Sequence, residues 1–341
     1  MNADAPQGGP PPQPPLDRPA PIPQVPFAPP WWSPPRKHST LKRILITVVV
    51  LLLVMSAMMN VYLLALIGMG MESRLSKTVL RAGEQNQTVA VYEISGVLDG
   101  KAAGAFDEFC RHVLDDGDVR AVVLRVESPG GALAPSDQVH RGVEALRARG
   151  KTVVVSMGGV AASGGYYVSA PADEIFAEPT TATGSIGVIA TWPVLQGTLE
   201  KIGVEMVVMK SAHAEGWKDS ISPFHKPDER QRRHVQALLD DAQTRFEDIV
   251  RKGRGDRLKT QKARYEIPSP GGDGAKTVFH EETEPFNGKV YTANEAKERG
   301  LIDAIGYQPD AIDRAAELAD LERPNVVRYA PRMGLMAQLL S

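Results

Sequence analysis

The chain has a single cysteine, Cys110, among its 341 residues, so an intrachain disulfide and a zinc cluster built from cysteines are both excluded. It also lacks an excess of positive charge, because 39 basic and 41 acidic residues give a formal net charge of −2. Nucleic acid is therefore not an expected partner, since proteins that hold a phosphate backbone present a surplus of Lys and Arg. With 43% hydrophobic and 23% charged residues, the composition is that of a globular chain.

The N-terminal region departs from this average composition. Fourteen of the 27 prolines lie in the first 35 residues, and residues 1–43 are predicted to form an extended or disordered arm. A stretch without charge then runs from Ile44 to Met71. At about 1.5 Å per residue, a helix over residues 44–67 is long enough to cross the hydrocarbon core of a membrane. A cleaved signal peptide is the alternative, although its apolar region would be shorter and closer to the N-terminus.

Basic residues on the two sides of this helix predict its orientation. Those before it are Arg36, Lys37, Lys42 and Arg43, and those after it are Arg74, Lys77 and Arg81, with Glu72 among them. By the positive-inside rule, the N-terminus is expected in the cytoplasm. The chain is accordingly predicted to be a single-pass protein of the inner or plasma membrane, with the rest of the chain outside the cytoplasm.

Beyond the apolar stretch, residues 68–88 are predicted to form a polar, helical stalk, and strand and helix patterns then alternate as in an α/β domain. Strands are expected at Val89–Ile94, Val119–Val126, Thr152–Met157, Glu174–Ala177 and Glu205–Met209, and helices at Ala105–Leu114, Pro135–Arg149, Trp192–Ile202 and Asp228–Lys252. Residues 89–308 are assigned to this domain, with 253–285 as a surface hairpin inserted into it and 309–341 as a C-terminal tail.

Three turns that contain glycine each follow a predicted strand, where an α/β sheet presents its ligand site. The first ends in Gly130 and Gly131, whose backbone can expose successive N–H groups or simply form a strand-to-helix turn. The second places Ser163 among small residues at the expected start of a helix, where its hydroxyl is either a nucleophile or a helix cap. The third, which contains Ser185, is expected either to form a wall of the same cleft or to be a plain turn.

A serine nucleophile needs a base that removes its proton. Lys218 is one candidate, because its apolar neighbours could desolvate the amine, and an ion pair with Asp219 at the surface is the alternative. Desolvation is required, since a lysine with an ordinary pKa of about 10.4 is neutral only about once in 2,500 at pH 7. His213, His225 and His234 also remain possible bases, although none lies in a suggestive motif.

Taken together, these segments resemble the signal peptide peptidase A (SppA) family of membrane-bound serine proteases. The resemblance rests on ESPGG at 127–131, GGVAASGGYYVSAPADEIFAEPTTATGSIGVI at 158–189, WKDSISPF at 217–224 and GKVYTANEAKERGLIDAIG at 288–306. It implies a crotonase-like, ClpP-related α/β fold with a Ser–Lys dyad, in which Ser163 is the nucleophile and Lys218 the general base. It also implies an oxyanion hole formed by the N–H of Gly164 and that of Gly130 or Gly131. Lys210 is a rival base, because a few additional residues separate it from Lys218.

The same resemblance implies a substrate class and partners. The substrates would be signal peptides and other membrane or unfolded segments, hydrolysed through an acyl-enzyme with neither metal nor cofactor. Membrane lipid and further copies of the chain, assembled into a homo-oligomer, would be the partners. Two alternatives from other classes are a crotonase-type acyl-CoA enzyme and a membrane scaffold without catalytic activity.

Overall fold

The structure is a computed structural model, and it describes residues 40–69, 75–268 and 277–331. Most of the proline-rich arm, the PGG sequence at 270–272 and the last ten residues of the predicted C-terminal tail lie outside the described residues. The chain divides into two units, Met1–Met71 and Glu72–Ser341.

The first unit contains helix α1, Thr40–Met69. Its segment Lys42–Leu63 is long and apolar enough to cross a membrane and is the one such helix within the described residues. The predicted span over 44–67 therefore lies inside the observed helix.

The second unit is a mixed α/β domain. Its strands are β1 (Leu75–Arg81), β2 (Glu84–Leu98), β3 (Val119–Gly131), β4 (Thr152–Ala162), β5 (Glu174–Ala177), β6 (Ala182–Gly184), β7 (Gln261–Pro268), β8 (Thr277–Glu284), β9 (Val290–Thr292), β10 (Ala304–Ile305) and β11 (Pro324–Pro331). Its helices are α2 (Gly100–Asp115), α3 (Leu133–Ala148), α4 (Gly164–Ser169), α5 (Gln196–Lys201), α6 (Glu229–Arg254), α7 (Ala293–Glu298) and α8 (Gln308–Leu318). The predicted α/β class is confirmed.

The central sheet has the order β1-β11-β2-β3-β4-β5-β10. All neighbours along it are parallel except β1, which pairs with β11 in the antiparallel direction. Strand β6 pairs with the end of β4, and β9 pairs with β6, so two short strands lie beside the point where β4 ends. Strands β7 and β8 form a separate antiparallel hairpin inside the predicted 253–285 insertion.

Both faces of the sheet are covered, which explains why its strands are apolar at consecutive positions. On β2, Ala90 and Tyr92 face a cluster that includes Phe106 and Phe109 of α2. The alternate residues Val89 and Val91 belong to a second cluster, which includes four buried side chains of α8: Ala311, Ile312, Ala315 and Ala316.

Two predictions at the edges of the domain are wrong. The supposed helical stalk contains β1 and the start of β2. The supposed tail contains α8, which packs on the sheet, and β11, which is one of its strands. The domain therefore extends beyond 89–308 at both ends. The reason is that β1 and β11 pair with each other across some 250 residues, with Leu75 opposite Pro331. Neither segment by itself shows the strong two-sided apolar pattern of the central strands.

The region between β6 and α6 also differs from its prediction. Residues 205–209 form no strand, and the helix expected over 192–202 is reduced to α5. Val207 and Met209 are 79% and 92% exposed. An apolar run becomes a strand only where a neighbouring strand pairs with it, and this run has no pairing partner among the described strands.

Candidate active site

Ser163 lies between β4 and α4 with a backbone conformation that non-glycine residues rarely adopt, φ 51° and ψ −118°. Its N–H donates to the carbonyl oxygen of Gly184 at 2.8 Å, and its own carbonyl accepts from the N–H of Tyr167 at 2.8 Å. The residue occupies the N-cap position of α4, yet its side chain makes no capping hydrogen bond. The hydroxyl therefore does not have the capping role that was the main alternative to catalysis.

Glycines of the first turn lie against this serine. Gly130 has φ +108°, and a Cβ on it would lie 2.8 Å from both Ser163 Cβ and Gly164 N. A Cβ on Gly164 would in turn lie 3.1 Å from Gly131 N. The fold thus brings together the backbones of all three predicted oxyanion residues beside the serine.

The three amides are not equivalent. The Gly130 N–H already donates to Ser128 Oγ at 3.1 Å, and Ser128 Oγ donates to Gly96 O at 2.6 Å. Gly164 is the first residue of α4, and a first-turn N–H has no acceptor within its own helix. Gly164 is therefore better suited than Gly130 to donate to a developing oxyanion.

The third turn forms part of the same region. In the pairing of β4 with β6, Ala162 lies opposite Gly184. The next residue, Ser185, also has a positive φ, of 51°, and its N–H donates to the carbonyl oxygen of Lys289 at 2.8 Å. The third turn therefore lies beside the Ser163 turn, and the hydrogen bond from Ser163 N–H to Gly184 O joins the two.

Lys218 lies in the long irregular segment between α5 and α6, and its side chain is exposed. Its backbone N–H donates to Ala214 O at 3.1 Å, but within the described residues its amine forms neither a hydrogen bond nor an ion pair. Trp217 does not cover this amine: its ring packs under Arg230 at 4.4 Å and edge-on to His234 at 5.3 Å. The apolar surroundings expected for Lys218 are absent from the described part of the chain, and its pairing with Ser163 stays a prediction.

Asp219 pairs with a different lysine. Its Oδ2 accepts a hydrogen bond from Lys210 Nζ at 2.6 Å and lies 2.6 Å from His225 Nε2. The hydrogen bond from Lys210, followed by that from His225, lowers the pKa of the Asp219 carboxyl. A backbone hydrogen bond to Lys226 and the contact with Asp219 raise the pKa of His225. Lys210 is thus a paired cation, which argues against its being the base.

Histidines are not part of the serine site in the described structure. His213 lies in a short 3-10 turn, His225 contacts Asp219, and His234 packs on Trp217. None of the histidines that the structure describes is hydrogen bonded to Ser163. A Ser–His–Asp triad therefore has no geometric support.

A second polar network supports α4 and was not predicted from the sequence. Tyr167 donates its hydroxyl to Asp137 Oδ1 at 2.6 Å, and Arg245 Nε donates to the same oxygen at 2.9 Å. Burial would raise the pKa of the Asp137 carboxyl, but these two hydrogen bonds outweigh it and lower the pKa. His140 is buried edge-on against the Tyr167 ring, and this burial lowers the pKa of His140. The contacts join α3, α4 and α6, and no sequence motif marks them in advance.

Comparisons of the sequence with known proteins relate this chain to a family. The sequence profile of peptidase family S49 matches residues 145–264. A putative signal peptide peptidase SppA of Enterococcus faecium is 31% identical over 268 residues, which cover 75% of this chain and 71% of that protein. A putative protease of Synechocystis sp. is 33% identical over 238 residues, which cover 70% of this chain and 76% of that protein.

A longer relative matches over part of its length. Protease 4 of Haemophilus influenzae is 32% identical over 254 residues, which cover 70% of this chain but 36% of that protein. The aligned part of this chain thus corresponds to about a third of Protease 4.

Proposed function

This chain belongs to peptidase family S49, the SppA family of serine proteases, and from that premise we propose that Ser163 and Lys218 form its catalytic dyad. The observation that carries the proposal is the conformation of Ser163, which is held at a positive φ with two glycine amides beside it and with its hydroxyl making no hydrogen bond to the described part of the chain. Strained backbone of this kind persists where the surrounding structure enforces it, as at nucleophiles. Family membership favours a peptidase over the acyl-CoA enzyme and the inactive scaffold.

The proposed reaction has two stages. The neutral amine of Lys218 accepts the Ser163 hydroxyl proton while Oγ bonds to the substrate carbonyl carbon. The oxyanion accepts hydrogen bonds from the N–H groups of Gly131 and Gly164. The amide C–N bond then breaks as the departing nitrogen takes up the proton from Lys218. Water then adds to the ester with the same amine as base and releases the carboxylic acid, which restores Ser163.

The proposed substrates are residual signal peptides and other membrane or unfolded segments. The support is a membrane-length helix on the chain of a serine peptidase, because an anchored enzyme meets substrates that stay in or near the bilayer. The proposed orientation is N-terminus cytoplasmic and catalytic domain extracytoplasmic, on the strength of the basic residues before the helix.

A homo-oligomer completes the proposal. The region between β6 and α6, which carries Lys218, exposes several large apolar side chains, and a second copy of the chain would remove them from water. They are Ile189, Ile202, Val207, Met209 and Ile221, between 55% and 92% exposed. Assembly through this surface would also bury the surroundings of Lys218.

Labelling with a fluorophosphonate tests the dyad, because the reagent bonds to an activated serine with loss of fluoride. The full-length protein in detergent is expected to be labelled, Ser163→Ala not at all, and Lys218→Ala at least about 100-fold more slowly. Mass mapping should place the adduct on Ser163. Labelling of a different serine, or an unchanged rate in Lys218→Ala, would overturn the assignment.

Charge on the exposed apolar side chains tests the oligomer. Val207→Asp with Met209→Asp should dissociate the assembly in light scattering and lower the labelling rate, although in a single chain these positions are exposed and should tolerate charge. Leu318→Glu, an exposed apolar position at the end of α8, is the control. A fully assembled double variant would contradict the proposed interface.

A further inference from the structure

Asp219 directly follows Lys218 in the chain, yet its carboxylate is turned into a cluster that excludes Lys218. Its Oδ2 is held by Lys210 and His225, both at 2.6 Å, and its Oδ1 lies 3.5 Å from Gln231 Nε2. The Asp219 side chain is 11% exposed. The residue beside the proposed base is thus a nearly buried carboxylate with its own cation.

This cluster is assembled from separate stretches of the chain. Lys210 precedes the 3-10 turn at 212–214, and His225 precedes α6. Gln231 belongs to the capping box of α6 with Asp228, and its amide also donates to Gly216 O at 3.1 Å. The turn that carries Lys218 is consequently attached to the start of a 26-residue helix.

An unpaired carboxylate next to Lys218 would work against its proposed role. A negative charge favours the protonated form of a nearby amine, whereas a general base must be able to lose its proton. An ion pair has no net charge, so its field falls off faster with distance than that of the carboxylate alone. Asp219 remains ionised at neutral pH, because its hydrogen bonds lower its pKa. Its charge therefore has to be offset by a cation.

We propose that Lys210 is a positioning residue of this peptidase, which neutralises Asp219 and thereby leaves the neighbouring Lys218 amine able to act as a base. The inference rests on the proposed Ser163–Lys218 dyad. It explains why Lys210 is bound to a carboxylate instead of facing solvent.

Other charges near the carboxylate do not replace Lys210. His225 is the second group on Asp219, and its raised pKa favours the protonated form, but its charge is lost as the pH rises and the imidazole becomes neutral. The remaining charged residues that line the same open cavity are Glu215, Lys226, Asp228 and Arg230. These two acids and two bases offset each other, and Arg230 lies 4.0 Å from Asp228. Lys210 is the lysine that contacts Asp219 directly.

The pH dependence of serine labelling tests this inference in the full-length protein in detergent. In Lys210→Met, the midpoint of the labelling rate should move to higher pH by about half a unit to one unit, so that the rate at pH 7 falls about 3- to 10-fold and recovers at high pH. Asp219→Asn should move the midpoint in the opposite direction, because Lys210 then stands unpaired. The double variant should return close to the wild-type midpoint.

Two matched lysine variants complete the experiment. Lys210→Arg keeps the charge and should keep the midpoint, whereas Lys201→Met removes an exposed lysine of α5 in the same segment and should leave the whole profile unchanged. A Lys210→Met profile that is lower at every pH with the wild-type midpoint would overturn the inference, since it would indicate a structural role only. Unimpaired labelling in Lys218→Ala would instead overturn the proposed dyad, so the two failures are distinguishable.

Discussion

The N–H of Ser163 donates a 2.8 Å hydrogen bond to the carbonyl oxygen of Gly184. Gly184 has φ +80° and pairs with Val290 of β9. The conformation of the candidate nucleophile is therefore fixed by a strand that follows it in the chain and by a second strand that lies more than 100 residues further on. Substitutions in β6 or β9 are therefore expected to alter the backbone conformation of Ser163 without contacting its side chain.

Gly184→Ala should inactivate the protein through this connection. A Cβ at this position would lie 2.6 Å from the Tyr291 ring, and the positive φ adds strain of about 1–2 kcal/mol. We expect at least a 10-fold slower fluorophosphonate reaction and a lower melting temperature. Gly104→Ala is the control, because a Cβ there meets nothing within 4 Å in α2 and should stabilise the helix by about 0.5–1 kcal/mol. If Gly184→Ala reacted with the fluorophosphonate at the wild-type rate, the proposed connection between this strand pair and Ser163 would be contradicted.

Gly130→Ala should abolish turnover because the new methyl group would collide with the backbone and side chain of the Ser163 turn. This effect comes in addition to the strain of a positive φ at a non-glycine residue. The new Cβ would lie 2.8 Å from Gly164 N and from Ser163 Cβ. Gly150→Ala separates the two effects, since Gly150 also has a positive φ, of +74°, but open space around it. Gly150→Ala should cost about 1 kcal/mol in the free energy of unfolding and leave peptide hydrolysis intact. Equal activity in both variants would argue against Gly130 lying at the reaction centre.

Ser163→Gly should be more stable than Ser163→Ala, although both should be inactive. Glycine adopts φ 51° at no steric cost, whereas alanine retains the strain of the native serine. The difference in the free energy of unfolding should be about 1 kcal/mol, measured by denaturant titration of the two variants in the same detergent. Equal stabilities would mean that the serine conformation carries no strain.

Glu284→Gln should change how stability depends on pH. Burial alone would raise the pKa of Glu284, but hydrogen bonds from Tyr265, Arg299 and Gln261 outweigh it and lower the pKa to about 2. Because the folded pKa lies below the unfolded one, the carboxylate contributes stability above about pH 4.5, and that contribution is lost as the pH falls toward 2.

The free energy of unfolding of the wild type should therefore exceed that of Glu284→Gln at pH 6 by an amount on the order of 2–3 kcal/mol, and the difference should shrink toward pH 2. Glu247→Gln is a suitable control, because Glu247 forms a more exposed pair with Arg251 on α6. A difference between wild type and Glu284→Gln that stays constant across pH would refute the assigned ionisation.

The central strands could be predicted from the sequence because each carries its evidence locally. Strands β2 to β5 are apolar on both faces, and β5 was predicted with its observed bounds. Strands β1 and β11 could not be found in this way, because they lie at one edge of the sheet and depend on each other from opposite ends of the domain. The apolar residues 205–209 show the converse case, a strand pattern without a partner strand in the described structure.

The sequence by itself determined the parts of the site that are properties of a short segment. Glycines at strand ends can adopt a positive φ, as Gly130 does, or allow another part of the backbone to approach closely, as Gly164 does. Only the tertiary structure decided which lysine Asp219 pairs with, since the carboxylate next to Lys218 in the chain points to Lys210 and His225. The physical reason is that the conformational freedom of a glycine is a property of the residue itself, whereas burial, charge pairing and the positive φ of Ser163 depend on residues that folding brings close in space.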